Sequence, residues 1–350
     1  MSRSVRSPNA DLVSFELLID DAPLPDDIVV RSFEVDQGLN RLPRVRIVVE
    51  DGNAAEQAFD VSSASLFVPG AGIALALGYH GQNTRVFQGI VLAQSIRIEA
   101  VGRPVLIVTC GDRAEKLARL TAPVVGDDLN DEDMVAEILQ GAGLDADLAR
   151  MSGRSAREVR QGATAWDCLL GIASANGLVV SVGNGRVALA APSFDAPDLF
   201  AAYGDSILGL ELSMNAATQD AAVRVEAFDA EGHERISATA SEPSVNAHGN
   251  LTGKVLSRAL DVTRSVMSDS AMQPERLQAW ADAILFECRL SRVTGKVLLP
   301  GNASLVAGHL LELNGLGDRF NGNAYMTSVR HIVESGAWQT SVFLGFEDRV

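Results

Sequence analysis

The fold of this protein is decided near the end of its sequence, by the runs Gly295-Lys-Val-Leu-Leu-Pro-Gly301, Ala307-Gly-His-Leu-Leu-Glu-Leu-Asn-Gly-Leu-Gly-Asp-Arg-Phe-Asn-Gly-Asn-Ala-Tyr-Met-Thr-Ser-Val-Arg-His-Ile-Val333 and Trp338-Gln-Thr-Ser-Val-Phe-Leu-Gly-Phe346. Short alternating apolar runs are separated there by clusters of Gly, Asn, Asp and Pro. This pattern is typical of antiparallel strands joined by tight turns. We therefore expect residues 295–346 to form four antiparallel strands that close a small barrel.

The first third of the chain repeats this strand pattern. Segments of alternating apolar residues follow one another at spacings of about ten residues, which is typical of an antiparallel barrel or sandwich. Gly78 and Gly89 lie inside two of these segments, where glycine usually marks a bulge or a close backbone approach. The predicted strands are 13–19, 28–35, 45–49, 73–79, 86–91, 95–99 and 105–109.

Two helices with clear capping signals follow the first group of strands. Asn130 precedes three acidic residues and an apolar face, which predicts a helix that ends at Gly141. Thr164 stands three residues before Asp167, the spacing of a capping box, and predicts a second helix that ends at 176–177. Trp166 in that helix is interpreted as a core residue.

The remaining segments alternate between strands, a loop and one long helix. Residues 178–182 and 186–190 flank a Gly-Asn-Gly turn and predict a hairpin. Strands are expected at 207–214 and 222–228, and the polar interval 232–250 is expected to be an exposed loop. Pro274 opens a periodic apolar pattern that predicts a helix over 274–290.

An internal echo links the two ends of the chain. The run from Gly72 to Gly89 and the run from Gly308 to Gly322 both place a glycine before alternating leucines and finish on Phe-x-Gly. Two similar β modules in one chain would explain this repetition.

Composition limits the class of protein. The 350 residues are 47% apolar, enough for two cores, and the strand and helix patterns together indicate a mainly β fold with some α. No long apolar run is present, so membrane insertion and Sec export are not expected. The net charge of −16 opposes nucleic-acid binding. Cys110, Cys168 and Cys288 are widely spaced and are interpreted as small buried apolar side chains in a reducing compartment, without a disulfide or zinc site.

The sequence contains no motif typical of an enzyme. It has no nucleophile elbow, no phosphate loop and no dinucleotide fingerprint. The five histidines show no metal-ligand spacing and are expected in turns or on strand surfaces; they are His80, His233, His248, His309 and His331. We therefore predict no catalytic residues, no metal site and no cofactor.

Two alternatives from acidic residues stay open. The run 127–133 is rich in Asp but lacks the central Gly and terminal Glu of an EF-hand calcium loop. A chain with 45 acidic residues always offers pairs of carboxylates, so the sequence leaves glycoside hydrolysis open. An aromatic content of 5% is nevertheless poor for a sugar-binding cleft.

At the level of whole segments, the chain resembles the VgrG and phage late control D proteins, and most of all the hub portion of spike proteins from extracellular contractile injection systems. The resemblance covers nearly the whole chain in the same order. The segments that carry it are Leu42-Pro-Arg-Val-Arg-Ile-Val-Val-Glu-Asp-Gly52, Phe67-Val-Pro-Gly70 with Gly78-Tyr79, Val86-Phe-Gln-Gly-Ile-Val91, Trp166-Asp-Cys-Leu-Leu170 with Asn176-Gly177, and 301–330.

The resemblance implies a central baseplate hub. In such a hub each subunit of a homotrimer carries two tail-tube-like antiparallel β-barrel domains with helical insertions, and the trimer joins a sixfold tail tube to a threefold spike. On this basis we expect a first tube-like domain at 1–115, a helical and hairpin insertion at 116–200, and a second tube-like domain with the helix 274–290 at 201–350.

The same resemblance supplies the expected partners and location. The partners are two further copies of the chain, the tail-tube protein, a spike, OB-fold or tip protein, and other baseplate proteins. Assembly is expected in the bacterial cytoplasm, as part of a phage tail, a type VI-like apparatus or a released injection particle. Many family members continue into an OB fold and a β-helical spike, which this sequence does not contain, so a separate spike chain and a shortened hub are both open.

Two other functions remain as alternatives. A tail-associated peptidoglycan hydrolase would use paired carboxylates. A binding module for an effector or cargo would use the same β surfaces without catalysis.

Overall fold

A computed structural model describes residues 2–5, 12–122, 130–151, 163–229, 233–241, 248–268 and 274–346. The strands are β1 (Arg3–Ser4), β2 (Val13–Ile19), β3 (Ala22–Pro23), β4 (Val30–Gly38), β5 (Arg44–Glu50), β6 (Gly72–Tyr79), β7 (Gln82–Arg97), β8 (Val105–Gly111), β9 (Asp145–Leu148), β10 (Val179–Gly183), β11 (Arg186–Ala190), β12 (Leu199–Ala202), β13 (Gly209–Met214), β14 (Ala222–Asp229), β15 (Glu234–Ala240), β16 (Thr263–Met267), β17 (Val293–Pro300), β18 (Leu310–Asn314), β19 (Gly322–Glu334) and β20 (Ala337–Leu344). The α helices are α1 (Asp60–Ser63), α2 (Asp131–Gly141), α3 (Ala165–Ala175), α4 (Gly253–Ser257) and α5 (Pro274–Leu290), and a 3-10 helix spans Arg113–Ala118.

The locally encoded predictions are confirmed. The fold is mainly β with helical insertions, and the terminal segment forms the four predicted antiparallel strands, β17 to β20. Asn130 caps α2, because its side chain accepts a hydrogen bond from the backbone N–H of Asp133. Thr164 and Asp167 form a reciprocal capping box at the start of α3. Trp166 is buried in a core, as predicted.

Two predictions from the sequence were wrong. The segments 86–91 and 95–99 are not separate strands, since β7 runs through both as one strand of 16 residues. It stays continuous because a bulge between Val91 and Ala93 lets it bend without breaking its pairing with β8. The interval 232–250 is not wholly a loop, because Glu234–Ala240 forms β15, whose polar residues alternate with those that face a small core.

Gly89 marks a close backbone approach, as predicted. A side-chain carbon added there would lie 2.3 Å from the carbonyl oxygen of Gly111 on β8. A similar carbon at Gly78 would lie 2.0 Å from the carbonyl oxygen of Gln82. Only glycine fits where the turning sheet brings these backbones together.

Six strands form a first sheet module, in the order β4-β5-β8-β7-β6-β2. All its neighbouring strands are antiparallel. The long strand β7 pairs with β6 along its first half and with β8 along its second half. One strand shared in this way makes the sheet curl around its own apolar face.

Six later strands form a second sheet module, in the order β13-β17-β20-β19-β18-β12. The six strands of each module can be numbered from first to sixth by their order along the chain. In both modules they then lie side by side in the order second, third, sixth, fifth, fourth, first. The single difference is the last pair, which is antiparallel between β2 and β6 but parallel between β12 and β18. The chain therefore contains the same six-strand topology twice.

Hydrogen bonds and bulges place the two modules in register. In the first, Gly70 N–H donates to the carbonyl of Val91 at 2.8 Å; in the second, Gly308 N–H donates to the carbonyl of Met326 at 2.8 Å. The bulge of β7 follows Val91 and the bulge of β19 follows Met326. Gly308 thus corresponds to Gly70 and not to Gly72, the glycine with which the sequence echo pairs it. The equivalence follows from the strand register and not from the similarity of the two local sequences.

Each part of the fold has its own buried core. One fills the first module, a second lies among residues 114–189 with α2, α3 and the β10–β11 hairpin, and a third fills the second module. A fourth lies between α5 and the small sheet β15-β14-β16. Both insertions follow a strand of a module and return to the sheet. None of the helices in the described part of the chain has the length and apolar character needed to span a lipid bilayer.

Candidate functional site

The two modules are joined by direct pairing of their sheets. β19 of the second module pairs antiparallel with β4, the edge strand of the first, over residues 328–334 and 32–38. Because β19 also pairs with β20 over this length, it lies between strands from both modules. Continuous backbone hydrogen bonding makes this junction the most strongly specified contact between the modules.

Charged side chains line one face of the junction. Arg330 on β19 forms ion pairs with Asp36 at 2.5 Å and with Glu34 at 3.5 Å, both on β4. The guanidinium of Arg330 also lies 5.9 Å from the ring centre of Phe343. Because the Arg330 and Asp36 side chains are about one-third exposed or less, these pairs contribute mainly to register.

Apolar and aromatic side chains cover the other face. Val333 and Trp338, from the second module, are buried in the core of the first. Trp338 packs on Tyr79 with ring centres 5.2 Å apart, and the Tyr79 hydroxyl donates to the carbonyl of Gly301 at 3.1 Å. Burial raises the pKa of Tyr79, with this hydrogen bond opposing it. The second module therefore completes the core of the first.

Within the paired segment 328–334 of β19, His331 is the titratable side chain that is fully buried. It is 1% exposed, its ring centre lies 5.8 Å from that of Trp338, and its Nδ1 lies 2.9 Å from Oγ1 of Thr340. Burial lowers the pKa of His331 to about 4 from an ordinary 6.5. The folded protein holds this imidazole neutral.

This depressed pKa predicts a loss of stability in mild acid. Below pH 6.5 the unfolded chain protonates His331, whereas the folded chain does so only near pH 4, so stability falls as the pH drops through this window. The expected contribution of this histidine is about 3 kcal/mol. Urea unfolding midpoints at pH 7 and pH 4.5 measure it.

A histidine in an exposed turn, His80, supplies the control for this prediction. His331→Gln is expected to flatten the change in midpoint between the two pH values, and His80→Asn to leave it as in the unmodified protein. An unchanged pH dependence in His331→Gln would contradict the assignment.

Among the unpaired strand edges in the described part of the chain are those of β13 and of the end of β7. β13 pairs with β17 alone, and the end of β7 pairs with β8 alone. Large apolar side chains are exposed along both: Ile96 and Ile98 are 53% and 66% exposed, and Leu208 and Leu210 are 54% and 40% exposed. Open edges that carry apolar side chains are typical of surfaces that pair with another strand.

The histidines do not converge on a site. His80 and His233 occupy turns and His309 an exposed bend, as expected, but His248 and His331 are buried, which corrects the prediction of surface positions for all five. They are buried because each faces a protein oxygen within hydrogen-bond distance. No group of His, Cys, Asp and Glu suited to a metal ion occurs among the described residues.

Three buried carboxylates have structural partners. Asp51 accepts hydrogen bonds from three backbone N–H groups, and Asp112 from two. Asp131 forms an ion pair with Arg276 and accepts a hydrogen bond from Asn176. Asp131 belongs to the acidic run considered as a calcium loop, where it is the first residue of α2; residues 127–129 lie outside the described part of the chain.

Two of the three cysteines are buried, as predicted, whereas Cys168 is only half-buried. Cys110, Cys168 and Cys288 form no disulfide, and Cys110 and Cys288 are buried. Burial raises the pKa of Cys110 to about 12, so its thiol stays protonated. A thiol in this form is a small apolar side chain and not a nucleophile.

Sequence reasoning missed the junction itself. The pairing of β4 with β19 joins residues about 300 positions apart, and no local pattern marks it. The only signal in the sequence was the complementary charge of Glu34 and Asp36 on one strand and Arg330 on another. Such pairs are too common in a chain with 45 acidic residues to single this one out.

The fold resembles that of solved tail proteins. The tail protein from Neisseria meningitidis MC58 superposes with a TM-score of 0.71 at 14% identity, covering 96% of this chain and 97% of that one. The 43 kDa tail protein of prophage MuSo2 from Shewanella oneidensis has a TM-score of 0.70 at 10% identity, with 95% and 98% covered. At these identities the likeness shows the fold.

A third solved structure extends the comparison to secretion. The Escherichia coli c3393 protein, described as a component of the type VI secretion system with structural similarity to T4 bacteriophage tail proteins gp27 and gp5, has a TM-score of 0.55 at 12% identity, with 95% of this chain and 77% of that one covered. A comparison with curated proteins finds no match.

The family is set by a match over almost the entire sequence. Residues 9–335 match the family described as the Alg8 N-terminal domain. This span includes both sheet modules except the last strand, together with both insertions. The chain therefore belongs to the Alg8 N-terminal domain family.

Proposed function

We propose that this protein is the structural central hub of a contractile injection system or phage tail baseplate. In this role three copies form a pseudo-hexameric ring that joins a sixfold tail tube to a threefold spike. The sequence resemblance points to the VgrG and late control D proteins, and the proposal assigns this chain the role of their hub.

The observation that carries this proposal is the repeated six-strand topology. Three chains that each contain two equivalent modules offer six equivalent sheets to one side of a ring. The insertions differ between the modules: one follows β8 and contains α2 and α3, whereas the other lies between β13 and β17 and contains α5. Surfaces made from these insertions repeat only three times around the ring, which suits a threefold partner.

We also propose that the protein acts without catalysis. The three buried carboxylates named above are occupied by backbone amides and an arginine, so they are poorly placed to act as an acid and base pair. No observation favours the peptidoglycan hydrolase. Clearing of a cell-wall suspension by the purified protein would contradict this part of the proposal.

The proposed assembly assigns a role to each segment. Residues 1–115 and 201–350 are the tube-like domains and 116–200 the insertion between them. The proposed partners are two further copies, the tail-tube protein, a spike or tip protein and other baseplate proteins, within a particle assembled in the bacterial cytoplasm and in some systems released from it.

Oligomeric state tests the proposal. Size-exclusion chromatography with light scattering is expected to give three times the mass of the 37.0 kDa chain, alone or after addition of tube and spike proteins. Class averages from electron microscopy are expected to show a ring with a central channel. A chain that remains monomeric with both partners present would contradict the hub function.

A further inference from the structure

The repeated topology also indicates how neighbouring copies meet. Within the chain, the edge strand of one module pairs with the outer half of the long strand of the other, β4 with β19. Their counterparts by position are β13 and the end of β7, and each of these has an unpaired edge in the described part of the chain. Every copy therefore contains both strands of a second junction of this kind. The two strands belong to different modules and do not pair with each other within the copy.

The register of that missing pair follows from the equivalences. Matching the bulges places Ser328 of β19 with Ala93 of β7. The third strands of the two modules are β5 and β17, and Arg46 and Lys296 hold the same position in them. Glu34 of β4 lies opposite Arg46 and Glu211 of β13 lies opposite Lys296, so the two glutamates are equivalent. Both modules thus have an acid facing a base at the same position of the edge.

We propose that β13 of one copy pairs antiparallel with residues 93–99 of the next copy, in the register that places Glu211 opposite Arg97. This rests on the hub function proposed above and identifies the contact that closes its ring. The occupant of each free edge is a second copy of this chain. The contact is heterologous, so each copy uses one edge with each neighbour.

The side chains suit this register. Applying the β4–β19 pairing places Ile96 opposite Leu212 and Ile98 opposite Leu210, so apolar residues meet on one face. On the other face Arg97 meets Glu211. A shift of one residue would set Arg97 against a leucine and turn both isoleucines to the wrong face.

The exposure of these residues in one copy supports the same contact. Val333, the counterpart of Ile98, is buried in the core of the other module, whereas Ile98 is 66% exposed. Within one copy Arg97 forms an ion pair with the neighbouring Glu99 at 3.5 Å, and both side chains are about half exposed or more. In the ring Ile98 would enter the second-module core of the next copy, as Val333 enters the first-module core of its own.

Engineered disulfides test the register. Ser95 and Ser213 correspond to Arg330 and Asp36, whose side chains are in contact across the internal junction. Under mild oxidation the double variant Ser95→Cys/Ser213→Cys is expected to give covalent dimers and a closed covalent trimer on a non-reducing gel, reversed by dithiothreitol. The parent protein sets the background from its three native cysteines.

An offset pair is the matched control. Arg97→Cys/Ser213→Cys is shifted by two residues, and cysteines with Cα atoms beyond about 7 Å cannot bridge, so at least about tenfold less cross-linked product is expected. Equal cross-linking in both variants would overturn the register. A trimer by light scattering without cross-links in the first variant would overturn this interface while leaving the hub function intact. A monomer with tube and spike proteins present would remove the hub function, and with it the interface.

Single substitutions give an independent readout. Ile96→Lys places a charge where the neighbour's Leu212 is expected, so the concentration needed for half-assembly should rise by about tenfold or more. Phe228→Lys on the small sheet is the control, since Phe228 is 49% exposed and Ile96 53%. Unchanged circular dichroism in both variants excludes misfolding. Assembly of Ile96→Lys at the concentration that the parent needs would overturn the proposal.

Discussion

Replacement of Asp131 by asparagine is expected to lower the free energy of unfolding by about 3–5 kcal/mol, the usual cost of leaving one partner of a buried ion pair without its counter-charge. The Asp131 side chain is fully buried and that of Arg276 is 8% exposed. Arg276 also donates to the amide oxygen of Asn176 at 2.7 Å. This cluster ties α2 and the end of α3 to the start of α5, so the change would loosen the contact between the two insertions.

An exposed ion pair gives the control for this expectation. Asp147 and Arg186 lie 2.6 Å apart with side chains 61% and 58% exposed, and such pairs contribute at most about 1 kcal/mol. Asp147→Asn should therefore move the midpoint of urea unfolding far less than Asp131→Asn. Equal shifts in the two variants would show that the buried pair does not hold the insertion in place.

Replacement of Trp338 by alanine is expected to cost about 3–5 kcal/mol, the range for removal of a large buried aromatic side chain. Trp338 is 5% exposed and lies in the core of the first module, between Tyr79 and His331. Its loss would open a cavity at the junction of the modules. Urea unfolding followed by far-ultraviolet circular dichroism measures the effect without relying on tryptophan emission.

Trp338→Phe separates the loss of the ring from the loss of the indole N–H. The indole nitrogen is buried and has no hydrogen-bond partner among the described residues, so replacing the indole leaves none of their acceptors unpaired. Phenylalanine keeps an aromatic ring beside Tyr79, and the expected cost is below about 1.5 kcal/mol, as for other conservative core changes. A cost for Trp338→Phe equal to that for Trp338→Ala would show that packing volume is not what joins the modules here.

Elements with short-range signals were predictable. The capping box of Thr164 and Asp167, the cap at Asn130 and the turn-separated terminal strands depend on residues within a few positions of each other, so the sequence pattern suffices. The strand 234–240 was missed because its exposed face is polar and the signal resembles that of a loop. The continuity of β7 was missed because a bulge interrupts its alternation.

The candidate site was less predictable than the fold. Neither the β4–β19 pairing nor the ion pair of Asp131 and Arg276, 145 residues apart, has a local signature. The burial of His331 could not be predicted from the sequence either. Apolar and polar residues alternate along its strand as in any half-buried strand, and the packing of the other module decides which face is buried. The free edges of β13 and of the end of β7 can be recognised only once the strand pairing of both modules is known.

The amino-acid order alone therefore set the mainly β fold, the helix caps and the resemblance to a tail hub, because turns, caps and strand alternation are short-range properties of the chain. Tertiary structure decided that the Gly295–Phe346 strands complete a second copy of the first module and that β19 crosses into the neighbouring sheet. Strand pairing joins residues distant in sequence, and its register depends on which faces become buried. For the same reason only the folded chain shows that β13 and the end of β7 have unpaired edges, on which the proposed contact between copies rests.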